Sequence, residues 1–123
     1  MTRVLCVALG GAAGAVARYL VGGWAAARWG TAFPIGTLLV NATGSLLLGL
    51  VAALTTDRFV APQARLLLGV GFLGAYTTFS TLAYETLALL AGGSFVRAAL
   101  NAVGSLIIGL LAAWVGSVIG RLL

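Results

Sequence analysis

The segment GVGFLGAYTTFSTL, residues 69–82, combines three glycines, three aromatic residues and a cluster of hydroxyl side chains inside an otherwise apolar region. Glycine weakens a helix, and the β-branched Thr77 and Thr78 can bond backward to backbone carbonyls. We therefore predict a helix that is broken near Gly74 to Thr78, with a simple kink and close packing as the alternative. A broken helix exposes carbonyls at membrane depth, where they must be buried in protein or line a cavity, and they are natural ligands for a hard cation.

Apolar residues dominate the rest of the chain. They make up 62% of the 123 residues, charged residues make up 7%, and the mean hydropathy of +1.16 is typical of an integral membrane protein. Four apolar runs each reach the roughly 20 residues that a membrane-spanning helix needs: Val4–Gly23, Phe33–Leu54, Leu66–Ala91 and Phe95–Ile119. The short connections between them are Trp24–Ala32, Thr55–Gln63 and the Gly92–Gly93 turn. We predict an all-α membrane protein in which residues 1–123 form a single transmembrane subunit.

The first apolar run has a second interpretation as a cleavable signal peptide, because Arg3 precedes it and Ala25–Ala27 resembles a cleavage site. The glycines at positions 10, 11 and 14 favour instead a helix that packs closely against its neighbours. The single cysteine, Cys6, lies in an apolar context and is interpreted as a small buried hydrophobic residue.

All seven basic residues are arginines, so the net charge of +5 persists at any accessible pH. They form no basic cluster, and a nucleic-acid partner is not implied. With four spans, the arginines on one side of the membrane are Arg3, Arg58, Arg65 and Arg121, and those on the other are Arg18, Arg28 and Arg97. An excess of one arginine hardly biases orientation under the positive-inside rule, so we predict insertion in both orientations. The alternative is a single orientation, set by the connection that carries Arg58 and Arg65.

The chain also repeats itself with a shift of 60 residues, since NATGSLLLGLVAAL from Asn41 matches NAVGSLIIGLLAAW from Asn101. Two spans per repeat, over about residues 1–60 and 61–123, mean that both halves cross the membrane in the same sense. An inverted pair of halves then requires two chains inserted oppositely. We therefore predict an antiparallel, dual-topology homodimer.

Polar side chains recur at intervals of four residues along two of the predicted spans. Thr37, Asn41 and Ser45 share one face of the second span, and the fourth span carries an equivalent stripe: Arg97, Asn101 and Ser105. A polar group in hydrocarbon must find a partner or face water. The stripes therefore either bond packed helices together or line a narrow polar path, and their occurrence on two homologous helices favours the path.

Three motifs of this chain resemble the fluoride channels of the Fluc (CrcB) family: Gly10-Gly11-x-x-Gly14-Ala15-x-x-Arg18-Tyr19, Gly36-Thr37-Leu38-x-x-Asn41-x-x-Gly44, and Gly71-Phe72-x-Gly74-x-x-Thr77-Thr78-Phe79-Ser80-Thr81. The resemblance covers the whole chain, and the third motif is long and specific. It implies four-helix subunits in a dual-topology dimer, two pores, and passive fluoride export that lowers cytoplasmic fluoride. It also implies a central structural sodium ion and a multi-pass location in the bacterial plasma or inner membrane.

The resemblance assigns roles to individual residues. Gly74 and Thr77 occupy the positions whose carbonyls hold sodium in the family. The residues that match the pore are Asn41, Phe79, Ser80 and Thr81. Arg18 matches a vestibule arginine, where a fixed positive charge would attract anions. Glu85 matches an acidic position after the motif and is a candidate gating residue, the alternative being a carboxylate that faces water or pairs with an arginine.

This chain departs from the family pattern at two positions. Leu82 replaces the second of two phenylalanines whose ring edges face the anion, and an aliphatic side chain cannot offer the positive edge of an aromatic ring. Asn101 falls where many relatives carry a tyrosine. Together with Ser105 and Thr37, Asn101 would continue a track of hydroxyl and amide donors, which suits a small and strongly hydrated anion because no full positive charge holds it too tightly.

Composition argues against most other classes of function. Without histidine, and with one cysteine and only Asp57 and Glu85 as acids, the chain has no ordinary nucleophile-base pair or metal set for an intramembrane enzyme. The stronger rival is a small dual-topology exporter that couples the efflux of toxic compounds to protons. Such an exporter needs a titratable carboxylate deep in the membrane, and Glu85 is the only candidate.

Overall fold

A computed structural model of the chain describes residues 1–56 and 61–123. Every regular element in these two ranges is helical, in agreement with the predicted all-α class. Asp57 and Arg58, which enter the predicted second connection and the arginine count, lie outside the described residues.

Four helical segments are long and apolar enough to cross a membrane, which confirms the predicted number: Thr2–Trp29, Ile35–Thr55, Pro62–Ala91 and Phe95–Leu122. They are called the first to fourth spans. The first span is the helix α1 (Thr2–Trp29), and the second belongs to α2 (Ile35–Thr56). The third consists of α3 (Pro62–Arg65), a wider π-helical stretch (Leu66–Leu73), α4 (Gly74–Tyr76) and α5 (Phe79–Ala91). The fourth consists of α6 (Phe95–Ala99), a second π-helical stretch (Leu100–Gly104) and α7 (Ser105–Leu122).

The first helix extends beyond its predicted end. The sequence predicts a connection from Trp24, but α1 continues to Trp29 and ends only at Gly30, whose φ of 75° lies in the left-handed region. The three alanines at 25–27 propagate the helix, and Arg28 in its last turn complements the negative end of the helix dipole. The Gly30 N–H then donates to the Ala26 carbonyl at 2.9 Å, which closes the helix. The connection to the second span is therefore shorter than predicted.

Close backbone contacts pair the first span with the third. A Cβ atom at Gly10 would overlap the Leu67 carbonyl, and one at Gly14 would overlap the Phe72 carbonyl. The absence of side chains at these glycines lets the two backbones approach directly, as small residues do in membrane helices. The predicted packing role of these glycines is confirmed.

The second and fourth spans form an equivalent pair. Here Gly49 lies against the Ala113 carbonyl, and Gly116 lies against the Leu46 carbonyl. The first and third spans lie one repeat length apart in sequence, as do the second and fourth, so each span packs against its own counterpart in the other repeat. These two pairs hold the polar faces of the second, third and fourth spans in a defined rotation.

The backbone leaves helical geometry at two residues of the third span. Thr77, at φ −75° and ψ 155°, and Thr78, at φ −150° and ψ 114°, are both extended between the end of α4 at Tyr76 and the start of α5 at Phe79. Thr78 is buried, and Thr77 is half-buried. Two consecutive residues inside this span therefore lie outside regular helical geometry.

Candidate polar pathway

The side chain of Asn41 clamps the extended backbone at Thr78. Its Nδ2 donates to the Thr78 carbonyl at 3.0 Å, and its Oδ1 accepts from the Thr78 N–H at 2.7 Å. One amide side chain thus satisfies both polar groups of a residue at the junction of two helices. Unpaired backbone groups at membrane depth cost several kcal/mol in order of magnitude, so the clamp stabilises this conformation.

Thr78 also begins the next helix. Its Oγ1 accepts from the Thr81 N–H at 3.3 Å and donates to the Thr81 Oγ1 at 2.9 Å, so Thr78 is the N-cap of α5. The Ser80 hydroxyl lies 3.4 Å from the same oxygen. The predicted pore residues Ser80 and Thr81 are therefore joined to Thr78 in one hydroxyl cluster, while the neighbouring Phe79 is 82% exposed.

The carbonyls of Gly74 and Thr77 lose their usual helical partners. In a continuous helix the N–H groups four residues later, those of Thr78 and Thr81, would donate to them. The structure directs these two N–H groups to Asn41 Oδ1 and Thr78 Oγ1 instead. Gly74 is exposed, and a Cβ there would meet only the Gly69 carbonyl, at 3.8 Å. The two predicted sodium ligands are thus carbonyls that the local fold diverts from regular bonding.

Two cavities meet at Thr78. The break cavity has a volume of about 680 Å³ and is lined by residues that include Asn41, Ser45, Phe79, Leu82, Thr86 and Ser105. The arginine cavity has a volume of about 440 Å³, and its lining includes Arg18, Thr37, Val40, Thr81 and Glu85. Thr78 lines both cavities. A further cavity of about 460 Å³ shares Thr37 and Glu85 with the arginine cavity and extends to Arg97 and the 30–34 connection.

Glu85 binds a hydroxyl group of the second span. The Thr37 Oγ1 donates to Glu85 Oε1 at 2.7 Å, while Glu85 Oε2 is buried and has no hydrogen-bond partner among the described residues. Within the same part of the chain Glu85 forms no ion pair with an arginine, although Arg18 lines the cavity beside it. The structure therefore favours a carboxylate inside the arginine cavity over one that is paired with an arginine or faces water.

The three residues of the polar stripe predicted on the fourth span lie in three different environments. Arg97 is exposed and donates to the Ala32 carbonyl at 3.5 Å, so it lies at the membrane end. Asn101, only 1% exposed, donates from Nδ2 to Thr86 Oγ1 at 3.0 Å, and Ser105 is buried against the break cavity. The π-helical turns at 100–104 change the rotation between these positions, so four-residue spacing no longer keeps them in line.

The second-span stripe, in contrast, follows the cavities in order. Thr37 lies in the arginine cavity, and Asn41 and Ser45 lie in the break cavity. The second span is regular from Ile35 to Thr56, so its four-residue spacing maps onto one face.

Sequence reasoning missed three hydroxyl groups at this site. The sequence pattern places Thr78 in the predicted break and in the third motif but not in the pore, although a threonine that precedes a helix start is a recognisable N-cap signal. No pattern indicates Thr86, which lies inside α5. Tyr76 was also missed: it is 7% exposed, its hydroxyl lies 3.0 Å from Thr43 Oγ1, and its ring stacks on Phe72 with centroids 5.8 Å apart. A tyrosine within an apolar span requires a polar partner, which was the available signal.

The fold and the site define a class, namely a multi-pass membrane protein in which a chain of mainly apolar cavities, each with several polar side chains in its lining, runs past non-helical backbone in the third span. A sequence profile of the family described as "CrcB-like protein, Camphor Resistance (CrcB)" matches residues 5–117. The chain belongs to this family.

Relatives match along almost the whole chain. The chain is 52% identical over 118 residues to a fluoride-specific ion channel FluC of Thermus thermophilus, covering 96% of this chain and 93% of the relative. It is 49% identical over 120 residues to a protein of the same name from Acidobacterium capsulatum, covering 97% of this chain and 96% of the relative. The protein of the same name from Trichormus variabilis is 46% identical over 120 residues, covering 96% of this chain and 88% of the relative. This chain is accordingly a multi-pass bacterial membrane protein.

Proposed function

We propose that this protein is a fluoride-selective channel that lets fluoride leave the cell passively and so lowers cytoplasmic fluoride. Relatives of about 50% identity carry the name of fluoride-specific ion channels, which supports an ion channel rather than an enzyme. The observation that carries the proposal is the position of Thr78, which Asn41 clamps and which lines the cavities on both of its sides.

The pathway offers hydrogen-bond donors at short intervals. Asn41 uses one Nδ2 hydrogen on the Thr78 carbonyl and keeps a second for an ion in the break cavity. Three hydroxyl groups whose hydrogen no other described residue accepts continue the path: Thr81 in the arginine cavity, and Ser45 and Ser105 in the break cavity. The hydroxyls of Thr37, Thr78 and Thr86 also line the path, but in this structure they donate to Glu85 Oε1, Thr81 Oγ1 and the Leu82 carbonyl. Ser80 adjoins the path through Thr78 Oγ1, at 3.4 Å. Fluoride can exchange its hydration shell for such donors stepwise, and neutral donors release it again.

Arg18 supplies the only positive charge in the lining of the arginine cavity as described. A fixed positive charge at the mouth raises the local anion concentration and repels cations. Phe79 and Leu82 form part of the break-cavity wall. In this assignment the Phe79 ring edge faces the anion, while Leu82 contributes only shape.

We propose that the functional unit is an antiparallel dual-topology homodimer of two-repeat chains with two pores. The near-balanced arginine distribution and the 60-residue repeat support it. Gly74 and Phe79 are exposed in the single chain although they belong to the most specific motif, which fits a contact with a second copy.

We propose that the carbonyls of Gly74 and Thr77 hold a structural sodium ion. Sodium is a hard cation that prefers oxygen ligands, and these two carbonyls are diverted from helical bonding beside an open glycine face. Two carbonyls from each chain of a dimer would supply four oxygens at a shared centre. When bound, the ion would hold the two chains together, and its positive charge would attract anions at a distance.

A proton-coupled exporter of toxic compounds is the second candidate, and the buried Glu85 Oε2 is the observation in its favour. Glu85→Gln keeps a carbonyl oxygen that can accept from Thr37 but removes the titratable group. We expect neither the purified parent protein nor the purified Glu85→Gln variant to show proton-coupled drug efflux. Efflux that is present in the parent and abolished in this variant would identify the exporter instead.

Flux from liposomes tests the channel proposal directly. Vesicles that contain the purified protein are loaded with fluoride, the potential is clamped with a potassium ionophore, and an electrode records fluoride release. We expect fast fluoride release and a silent chloride-loaded control. Equal release of the two anions would contradict selectivity, and no release of either would contradict a channel.

A further inference from the structure

Two arginines lie beside a continuous groove at the membrane end opposite to Arg18. Arg3, from the start of the first span, and Arg65, from the start of the third, both line a cavity of about 750 Å³ together with Pro62 and Leu66. A second cavity of about 320 Å³ continues from it between the second and third spans. The two share Thr55, Arg65 and Val70, and we call their union the Arg3–Arg65 groove.

The groove has a charged head and an apolar tail. Its tail is lined by Leu48, Val51, Gly69 and Val70, and Leu48 and Val70 are 45% and 56% exposed. From Thr55 to Leu48 the second span advances two helical turns, so the tail reaches about 10 Å below the arginines. Gly69 keeps it open, because the nearest atom to a Cβ built there is Val51 Cγ1 at 3.9 Å.

Within residues 1–56 and 61–123, no acidic group neutralises the charge at the head. Neither Arg3 nor Arg65 forms an ion pair or side-chain hydrogen bond with any other described residue, and Thr55 directs its hydroxyl hydrogen to the Ala52 carbonyl at 2.9 Å. The sequence holds only two acidic residues, and Glu85 is bound to Thr37 in the arginine cavity. Asp57 is the other acid, and by sequence this side of the membrane carries it against four arginines, so the side as a whole is positively charged.

We propose that the Arg3–Arg65 groove binds an anionic phospholipid, with its phosphate between the two guanidinium groups and an acyl chain along the tail. Guanidinium groups recognise phosphate by paired hydrogen bonds, and basic pockets between membrane helices attract anionic headgroups. A free phosphate would use the head alone, whereas the apolar tail below it matches a lipid chain. The groove lies away from Thr78, so the lipid stabilises the packing of the second and third spans rather than taking part in conduction.

Native mass spectrometry of the purified protein, titrated with phosphatidylglycerol or phosphatidylcholine, tests the proposal. The test variant moves Arg3 by one position and Arg65 by two, combining Thr2→Arg with Arg3→Thr and Gln63→Arg with Arg65→Gln. It keeps the composition and the number of arginines on each side, so insertion is unchanged, but turns both guanidinium groups away from the groove. The matched control exchanges Arg121 and Leu122, which line neither part of the groove.

We expect the parent and the control to retain phosphatidylglycerol roughly thirtyfold more strongly than phosphatidylcholine, because two arginines contribute about 1 kcal/mol of attraction each. The test variant should lose this preference. The proposal would be overturned if the parent retained the two lipids equally, or if the control lost the preference for phosphatidylglycerol as fully as the test variant.

The variant Gly69→Leu distinguishes a bound phospholipid from a bound free phosphate. The leucine occupies the tail and leaves both arginines in place, so phosphatidylglycerol retention should fall by a similar factor. Inorganic phosphate at the same concentration should fail to displace the lipid from the parent. Unchanged retention in Gly69→Leu, or displacement by inorganic phosphate, would show that the tail is not occupied by an acyl chain.

Discussion

At the scale of single residues, Asn41 connects two parts of the chain that are distant in sequence. Its amide reproduces the paired N–H and C=O pattern of a backbone strand, with distances of 3.0 and 2.7 Å to Thr78. An asparagine is suited to this because it offers one donor and one acceptor in the same plane. The residue that we propose to contact the ion therefore also shapes the backbone around it.

Asn41→Asp should reduce fluoride flux roughly tenfold or more. Aspartate cannot donate to the Thr78 carbonyl, and losing a buried hydrogen bond in this way costs about 1–3 kcal/mol. Its negative charge would also repel the ion in the break cavity. The liposome electrode assay measures the loss, and Gln63→Glu provides the control because it makes the same chemical change at an exposed position. Parent-like flux in Asn41→Asp would show that neither the clamp nor the donor is required.

At the scale of structural elements, the start of α5 depends on the Thr78 hydroxyl. It caps the helix through Thr81 and gathers Ser80 into the same cluster. The backbone groups of Thr78 are satisfied separately by Asn41, so the cap and the clamp can be altered one at a time.

Thr78→Val should lower the free energy of unfolding by about 1 kcal/mol, which is typical for the loss of an N-cap. Flux should fall as well, because a hydroxyl common to both cavities disappears. Thr78→Ser keeps the hydroxyl and should behave like the parent in both measurements. Denaturation followed by circular dichroism and liposome flux provide the two readouts. A valine variant as active and stable as the serine variant would contradict a role for the hydroxyl.

The contact between the second and fourth spans gives a second prediction at this scale. Gly116→Ala should destabilise the protein by about 1–3 kcal/mol, because the methyl group would overlap the Leu46 carbonyl, and backbone cannot move aside cheaply. Gly104→Ala in the same span is the control, since no atom lies within 4 Å of a Cβ there. Denaturant titration of both variants measures the difference. Equal stability of the two would mean that the close approach is not needed.

At the scale of the whole molecule, orientation in the membrane is the property to test. Among the described residues, each end of the spans carries three arginines. Arg3, Arg65 and Arg121 belong to one end, and Arg18, Arg28 and Arg97 belong to the other. By sequence, Arg58 adds a fourth arginine to the first end. Nothing in such a distribution drives one orientation strongly. Large apolar side chains on the outer faces, such as Leu5 at 58% and Trp114 at 65% exposure, suit lipid or a second chain.

A single reactive cysteine reports this orientation. In a Cys6→Ser background, Gln63→Cys should react with a membrane-impermeant maleimide in about half of the molecules from each side of the membrane. Quantifying modification in intact cells and in inverted vesicles gives the two fractions. Labelling from one side alone would contradict dual topology and, with it, the antiparallel dimer.

Hydropathy and motif together determine much of this protein from sequence alone. The four spans and the membrane location follow from composition, because hydrocarbon admits only long apolar helices. The third motif indicates the family, and the four-residue spacing on the regular second span places Thr37, Asn41 and Ser45 on one face of that helix.

Only the tertiary structure decides which polar groups meet. The pairings of Asn41 with Thr78 and of Thr37 with Glu85 span 37 and 48 residues of sequence. Periodicity reveals the polar face of a helix, but the partner depends on how far each helix is rotated and shifted against the next. The glycine contacts between paired spans set that rotation, and the π-helical turns at 66–73 and 100–104 alter it through small differences in backbone free energy that no local residue pattern encodes.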